Sequence, residues 1–294
     1  MSAQASVTPL PNLDLDLSDV RMQRLSLLAN PSNLTPEQQR ARRFGHLLHK
    51  HQISDFMAAK LATLEALDVA FLCDDSDSMR ALCMQGELKA WQRKASRWDE
   101  LVHTVKTVCE ISSLLDADGI DLWFANREPV KGITGMSAAI EDAFVAPPEG
   151  DYSLTRRLSE IIAAHQAKYK ANPKQLIVIV ATDGEAGPDL SMDLLKQILR
   201  SGRTGPCQIS MTFALCTDNT EVVKMFNEFD VEFENVDVVD DYWSEQEQVH
   251  KVQGDNFEFS KGDWVCKLLL GSVDRELDVV DEEKLKVNHI LAGY

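Results

Sequence analysis

Two short clusters of oxygen-bearing side chains hold the chemistry that this 294-residue chain offers. Asp74-Asp75-Ser76-Asp77-Ser78-Met79 follows a strand-like run, Asp68 to Cys73, and Thr182-Asp183-Gly184-Glu185 closes a second, Leu176 to Thr182. Carboxylates and hydroxyls are hard oxygen ligands, which suit Mg2+, Mn2+ or Ca2+. One acidic loop after a strand is weak evidence, because solvated loops are rich in Asp and Ser. Two such loops, with Ser76 and Ser78 interleaved behind Asp74, are a much better candidate. Other chemistry has no foothold. The chain contains no GxxxxGKS/T, GxGxxG, GxSxG or HExxH pattern, so nucleotide, hydrolase and zinc-protease sites are not expected.

The elements that must position these loops read as strands alternating with helices. Asp68 to Cys73 is short and apolar, the pattern of a strand covered on both faces. Residues 91–116 place Trp98, Leu101, Val105, Val108, Ser112 and Leu115 at helical spacing. Ile120 to Ala125 reads as the next strand, Glu128 to Ile133 as an edge strand and 136–145 as a helix. Pro147-Pro148-Glu149-Gly150 is a loop, and Leu154 to Lys170 a helix that stops before Asn172-Pro173. Leu176 to Thr182, Gln208 to Cys216 and Val236 to Val239 complete the strands. A helix over 189–200 and another capped by Asp218 with Glu221 separate them, and Lys261 to Leu277 closes the pattern. Such alternation predicts an α/β fold: a doubly wound, mostly parallel sheet flanked by helices. In such sheets the functional crevice lies beyond the carboxyl ends of the strands.

Ahead of this pattern, residues 1–34 read as a flexible leader with prolines and no sustained period. Thr35-Pro36-Glu37-Gln38 is a helix start, with Thr at the N-cap, Pro at N1 and Gln at N3. Residues 35–66 form an N-terminal helical extension whose two helices cannot bury their apolar faces alone. The main domain is expected over 67–280 and a tail over 281–294. A net charge of −17 and a pI near 4.8 argue against nucleic acid or anionic lipid as partners. No apolar run approaches the roughly 20 residues of a membrane span, and the N-terminus lacks a basic start and apolar core, so a cytoplasmic protein is expected. Six scattered cysteines without a CxxC pair read as buried free thiols.

The D-x-S-x-S of Asp74, Ser76 and Ser78 after a first apolar strand, with the T-D-G-E at Thr182 to Glu185, resembles the metal-ion-dependent adhesion site of von Willebrand factor A domains. Asp118 to Phe124 and Leu268 to Arg275 resemble segments of intracellular fungal and protist members. The resemblance covers roughly residues 65–278. It implies six strands in the order 3-2-1-4-5-6, which makes the strands before Asp74 and Asp183 neighbours. It further implies that Ser76 and Ser78 ligate a divalent cation through hydroxyls, with Asp74 and Asp183 bound directly or through water. An acidic residue of a protein partner then completes the shell, so the site binds and does not catalyse. The third loop departs from the family's G-x-T-P and reads Gly150-Asp151-Tyr152-Ser153. Tyr152 stands where threonine is the usual ligand, which leaves Ser153, Thr155 or Asp151 as substitute ligands. With Asp77 also present, the site is expected to be more anionic than usual and less hungry for a partner's carboxylate.

Two other readings compete. A purely structural scaffold with a decayed metal site keeps the fold alone. A haloacid-dehalogenase-like phosphatase would use Asp75 as nucleophile and Asp77 as general acid, with Thr182 on phosphate and Asp240-Asp241 on metal. That pattern lacks its threonine, because Met79 follows Asp77 by two residues. Elsewhere, the acidic stretch Glu228 to Glu247 reads as solvated surface. His46, His49 and His51 read as a solvated face near a basic patch of Arg40, Arg42, Arg43 and Lys50, for which docking on the chain's own acids, contact with an anionic partner and simple solubility are all open. Trp243 beside Tyr242 is the one tryptophan expected to be an exposed contact.

Overall fold

A computed structural model describes residues 35–83, 95–115, 119–135, 137–150, 154–184 and 192–286. The leader 1–34, Trp91, Asp118, Asp151, Tyr152, Ser153, Glu185 and the end of the tail, 287–294, lie outside the described residues. Six strands form one sheet: β1 (Leu67–Cys73), β2 (Ile120–Phe124), β3 (Val130–Ile133), β4 (Gln175–Thr182), β5 (Ile209–Leu215) and β6 (Val236–Val239). Their order is β3-β2-β1-β4-β5-β6. All pairings are parallel except β2 with β3, where Ile120 faces Ile133 across an irregular register. The fold is the mostly parallel α/β sheet that the alternation predicts, with β1 and β4 adjacent at its centre.

Alternate residues of the central strands serve two cores, because successive side chains point to opposite faces. Val69, Phe71 and Cys73 of β1 and Ile177 and Ile179 of β4 join one core with α3 (Arg97–Leu115) and α9 (Lys261–Leu270). Ala70 and Leu72 with Val178, Val180 and Phe213 face the other, against α5 (Leu154–Lys168), α6 (Met192–Gln197) and α7 (Thr220–Glu232). Phe71 and Phe213 are fully buried, and each such side chain contributes about 1.5–3 kcal/mol.

The N-terminal helices α1 (Pro36–Lys50) and α2 (Asp55–Lys60) belong to the first core through Phe44, Leu47, Leu48 and Met57. The predicted capping box is present: Gln38 N donates to the Thr35 hydroxyl and Thr35 N to Gln38 Oε1. Asp263 at the start of α9 accepts from Ser54 N at 2.7 Å, which locks α2 to the body of the fold. The basic patch does meet the chain's own acids, with Arg40 on Glu65 and Lys50 on Glu110. His46 and His49 are exposed, while His51 Nε2 lies 3.0 Å from Glu110.

Several local expectations are corrected. The stretch Glu228 to Glu247 is not all solvated surface: Asp237, Asp240 and Glu245 are buried. Asp241 caps a helix there, α8 (Tyr242–Gln253), which its acidic composition concealed. The helix after β5 is capped by Asn219, whose side chain accepts from Glu221 N, while Asp218 is exposed. Lys261 to Leu277 is not one helix. α9 ends at Leu270, and Asp274 caps a separate α10 (Arg275–Asp278), because Val273 N and Asp274 N both turn back onto Leu270 O. Of the segment 189–200, residues 189–191 lie outside the described residues, and the rest is α6 followed by a π-helical turn, Ile198–Gly202. The start of the expected tail is packed: Leu285 is buried and its N–H donates to Gln253. All six cysteines are free, four of them buried, and burial pushes the Cys109 thiol up to about 12.

Candidate functional site

Parallel pairing of β1 with β4 puts Cys73 beside Ala181, so the chain leaves both strands at the same sheet edge. Asp74 N donates to Ala181 O at 2.9 Å, which carries the pairing one residue into the loops. Asp74 is buried, and each carboxylate oxygen has one partner. Ser76 N donates to Oδ1 at 3.0 Å and the Thr182 hydroxyl to Oδ2 at 2.8 Å. The Ser76 and Ser78 hydroxyls stand 2.9 Å apart. Beyond Ser76 the chain makes a 3-10 turn, Asp77–Arg80, that leaves Ser78 half-buried and Asp77 exposed. Asp183 is fully buried on the neighbouring loop. Burial pushes the Asp74 carboxyl up to about 6, with the negative charge of Asp183 adding to it.

Gly184 completes the second loop. It adopts φ +65°, a conformation that side chains rarely take, and its N–H donates to the Thr182 hydroxyl at 2.9 Å. A Cβ here would lie 2.4 Å from Val222 of α7. The spacing T-D-G therefore has a physical reason, since only glycine turns the chain tightly enough to aim Thr182 and Asp183 at Asp74.

Three arginines that the sequence reading passed over shape the site. Arg97, the first residue of α3, puts Nη1 2.7 Å from Asp183 Oδ2 and Nη2 3.3 Å from the Thr217 hydroxyl. Its position follows from two contacts: Arg97 N donates to Ala81 O, and Ser96 and Asp99 cap the helix reciprocally. Arg127 holds Asp75, with Nε 3.0 Å from Oδ2, while Asn126 N donates to Oδ1. Burial raises the Asp75 carboxyl, and these two partners oppose the rise. Arg157, buried in α5, donates to the carbonyls of Ala125 and Arg127 and so fixes the loop that carries Arg127. Nothing local in the sequence marks these roles, because Asp183 lies 86 positions from Arg97, Asp75 lies 52 from Arg127, and the Ala125 and Arg127 carbonyls lie 32 and 30 from Arg157.

The candidate residues, ligands and phosphatase nucleophile alike, thus divide into three groups. Asp74, Ser76, Ser78 and Asp183 come together at adjoining strand ends. Asp75 points away, into the grip of Arg127. Asp151 and Ser153 fall outside the described residues, although Gly150 just before them accepts from Asp77 N at 3.3 Å. Thr155 is buried in the first turn of α5. The donor set fits a hard divalent cation: a hydroxyl pair and two buried carboxylates on rigid strand ends. Arg97 already supplies positive charge to Asp183.

Beside Arg97 runs a shallow groove lined by Leu82, Cys83, Glu100, Cys216 and Trp243. Leu82 and Trp243 are 55% and 52% exposed, which agrees with the expectation for Trp243. No family model matches this chain, and no curated protein matches its sequence. Among the described residues, no helix is long and apolar enough to cross a membrane.

Proposed function

We propose that this chain is a non-catalytic, cation-dependent protein-interaction module of the von Willebrand factor A type, working in the cytoplasm. The observation that carries the reading is the meeting of Asp74, Ser76 and Ser78 with Asp183 at the carboxyl ends of two adjacent parallel strands. Asp74, Ser76, Ser78 and Asp183 would hold Mg2+, Mn2+ or Ca2+. Bound there, the cation supplies an electron-poor position that takes a carboxylate from a partner protein. The chain's own part is orientation: Thr182 fixes the rotamer of Asp74, Gly184 aims Asp183, and the Asp77–Arg80 turn presents Ser78. Leu82 and Trp243 offer an apolar rim beside the site, where aromatic side chains commonly anchor partners.

Calorimetric titration with each of the three cations tests the metal. Binding that Ser76→Ala/Ser78→Ala abolishes is the expected result, and no heat at millimolar concentrations would end the proposal. Capture of partner proteins with and without chelator then tests the interaction.

A second reading keeps the fold as a scaffold whose metal site has decayed. It is favoured by the buried Arg97–Asp183 ion pair, which neutralises Asp183 without any cation. Partner capture unchanged in Ser76→Ala/Ser78→Ala would support it. The phosphatase reading draws no support from the geometry. Asp75 is locked to Arg127, and Asp240 follows β6, three strands from β1, or roughly 14 Å at about 4.8 Å per strand. Asp240 is held by Gln248, and Asp241 is used as a helix cap.

A further inference from the structure

Three carboxylates meet at the β6 edge of the sheet, away from the β1–β4 centre. Asp230 comes from the last turns of α7, Asp237 from edge strand β6 and Asp278 from the end of α10. One ligand oxygen from each lies within 4.8 Å of the others, and among the described residues no other trio of His, Cys, Asp or Glu does this. Proximity of acids alone is commonplace on an acidic protein. Asp237 is what sets this group apart. It is 2% exposed, and its Oδ2 has no hydrogen-bond partner. A buried carboxylate with an unsatisfied oxygen is costly and calls for a partner of opposite charge.

Lys267 eases the Asp237 charge through space, but its hydrogen bonds go to other carboxylates. It donates to Glu245 Oε1 at 2.6 Å and to Asp281. Burial, with repulsion from Asp230, raises Asp278 to about 7, and burial, with the charge of Glu282, raises Asp230 to about 6. The chain also makes room for the Asp237 carboxylate. Gly271 passes directly over it, and a Cβ there would stand 1.7 Å from Oδ2.

We propose that Asp230, Asp237 and Asp278 form a second divalent-cation site, distinct from the Asp74–Asp183 cluster, which clamps α7, β6 and α10 together. Ca2+ is the preferred occupant. Three protein carboxylates suit Ca2+, which takes six to eight oxygen ligands in flexible geometry, whereas Mg2+ dehydrates reluctantly and is usually held by only one or two carboxylates. The cation would offset the repulsion among the three carboxylates, so its role is to fasten the β6 edge and the α10 segment.

The test uses the full chain carrying Ser76→Ala/Ser78→Ala, so that the first cluster cannot contribute, with CaCl2 and MgCl2 titrated by calorimetry and thermal unfolding. One Ca2+ binding event should survive in this background, with Mg2+ weaker. Asp278→Asn or Asp230→Asn, both at partly exposed positions and compatible with folding, should weaken it more than about tenfold, since even loss of an outer-shell partner costs 10–100-fold. Asp278→Asn should also raise the melting midpoint in chelator, where it relieves repulsion, and lower it in Ca2+, where it removes a ligand. A purely structural role gives no such reversal. Absence of binding up to about 10 mM Ca2+, about tenfold beyond the weakest natural sites, overturns the proposal. So does an Asp278→Asn shift that is the same with and without Ca2+.

Discussion

Arg97 is the residue on which the metal-dependent and metal-independent readings part, and Arg97→Met separates them. Its guanidinium sits 2.7 Å from Asp183 Oδ2, with the arginine side chain 11% exposed and the aspartate fully buried. Removing one partner of a buried pair leaves an uncompensated charge and costs about 3–5 kcal/mol. Coulomb attraction of about 4 kcal/mol at 4 Å and an effective dielectric near 20 gives the same scale. In chelator, a loss of about 3 kcal/mol should lower the melting midpoint by roughly 6–12 °C. A divalent cation held by Asp74, Ser76, Ser78 and Asp183 should do in the variant what the guanidinium does in the native chain. At a concentration about 100 times its Kd it returns about 2.7 kcal/mol, most of what was lost. The cation also no longer competes with a charge-assisted hydrogen bond of about 1.5–3 kcal/mol, so affinity should tighten about 10-fold to 100-fold. Thermal unfolding in chelator and in Mg2+, followed by calorimetry, gives both readouts. Equal midpoint losses in chelator and in Mg2+, with no gain in affinity, would refute the reasoning and leave Arg97 as a plain structural partner.

Other perturbations follow from the same geometry. Lys267→Met strands the buried Glu245 carboxylate and should cost about 3–5 kcal/mol in urea unfolding; pairing it with Glu245→Leu should recover much of that, and a double variant no better than the single would count against the pair. Gly184→Ala forces a side chain into φ +65° and against Val222, so a loss of about 2 kcal/mol or more is expected, together with weaker cation binding as Asp183 shifts; an unchanged midpoint would contradict the steric argument. Asp68 governs part of the acid response: burial pulls its carboxyl up, but Lys174 at 2.5 Å, with Tyr169 and Lys168, outweighs this and holds it below the ordinary 3.8. Its stabilising contribution is therefore present above pH 4 or so and is lost as pH falls through the lowered value. Asp68→Asn should lose stability at neutral pH and flatten the acid limb of a stability-against-pH curve, and an unaltered acid limb would dismiss the assignment.

Much of this architecture is legible in the chain. Val69 to Cys73 and Leu176 to Thr182 are unbroken apolar runs, which only a strand buried on both faces tolerates. Thr35-Pro36-Glu37-Gln38 predicts the capping box of α1 because a cap depends on residues three apart. The failures have a common source. α8 begins inside an acidic stretch, and nothing within that stretch shows that Glu245 meets Lys267, 22 residues on. Gly271 after α9 and Asp274 before α10 are local stop and start signals that one continuous helix over Lys261 to Leu277 overlooks, whereas the close passage of Gly271 over Asp237 shows only in three dimensions.

By itself, the sequence determined the alternation of strands and helices, the two acidic loops and the hydroxyl spacing of Ser76 and Ser78, since these depend on neighbours a few residues apart. Tertiary structure alone decided that Asp75 turns to Arg127, that Asp183 is answered by Arg97 and that Asp230, Asp237 and Asp278 meet. Those are electrostatic relations between groups 52 and 86 positions apart, or between groups brought together from three elements. Charge acts through space, while a sequence orders residues only along the chain.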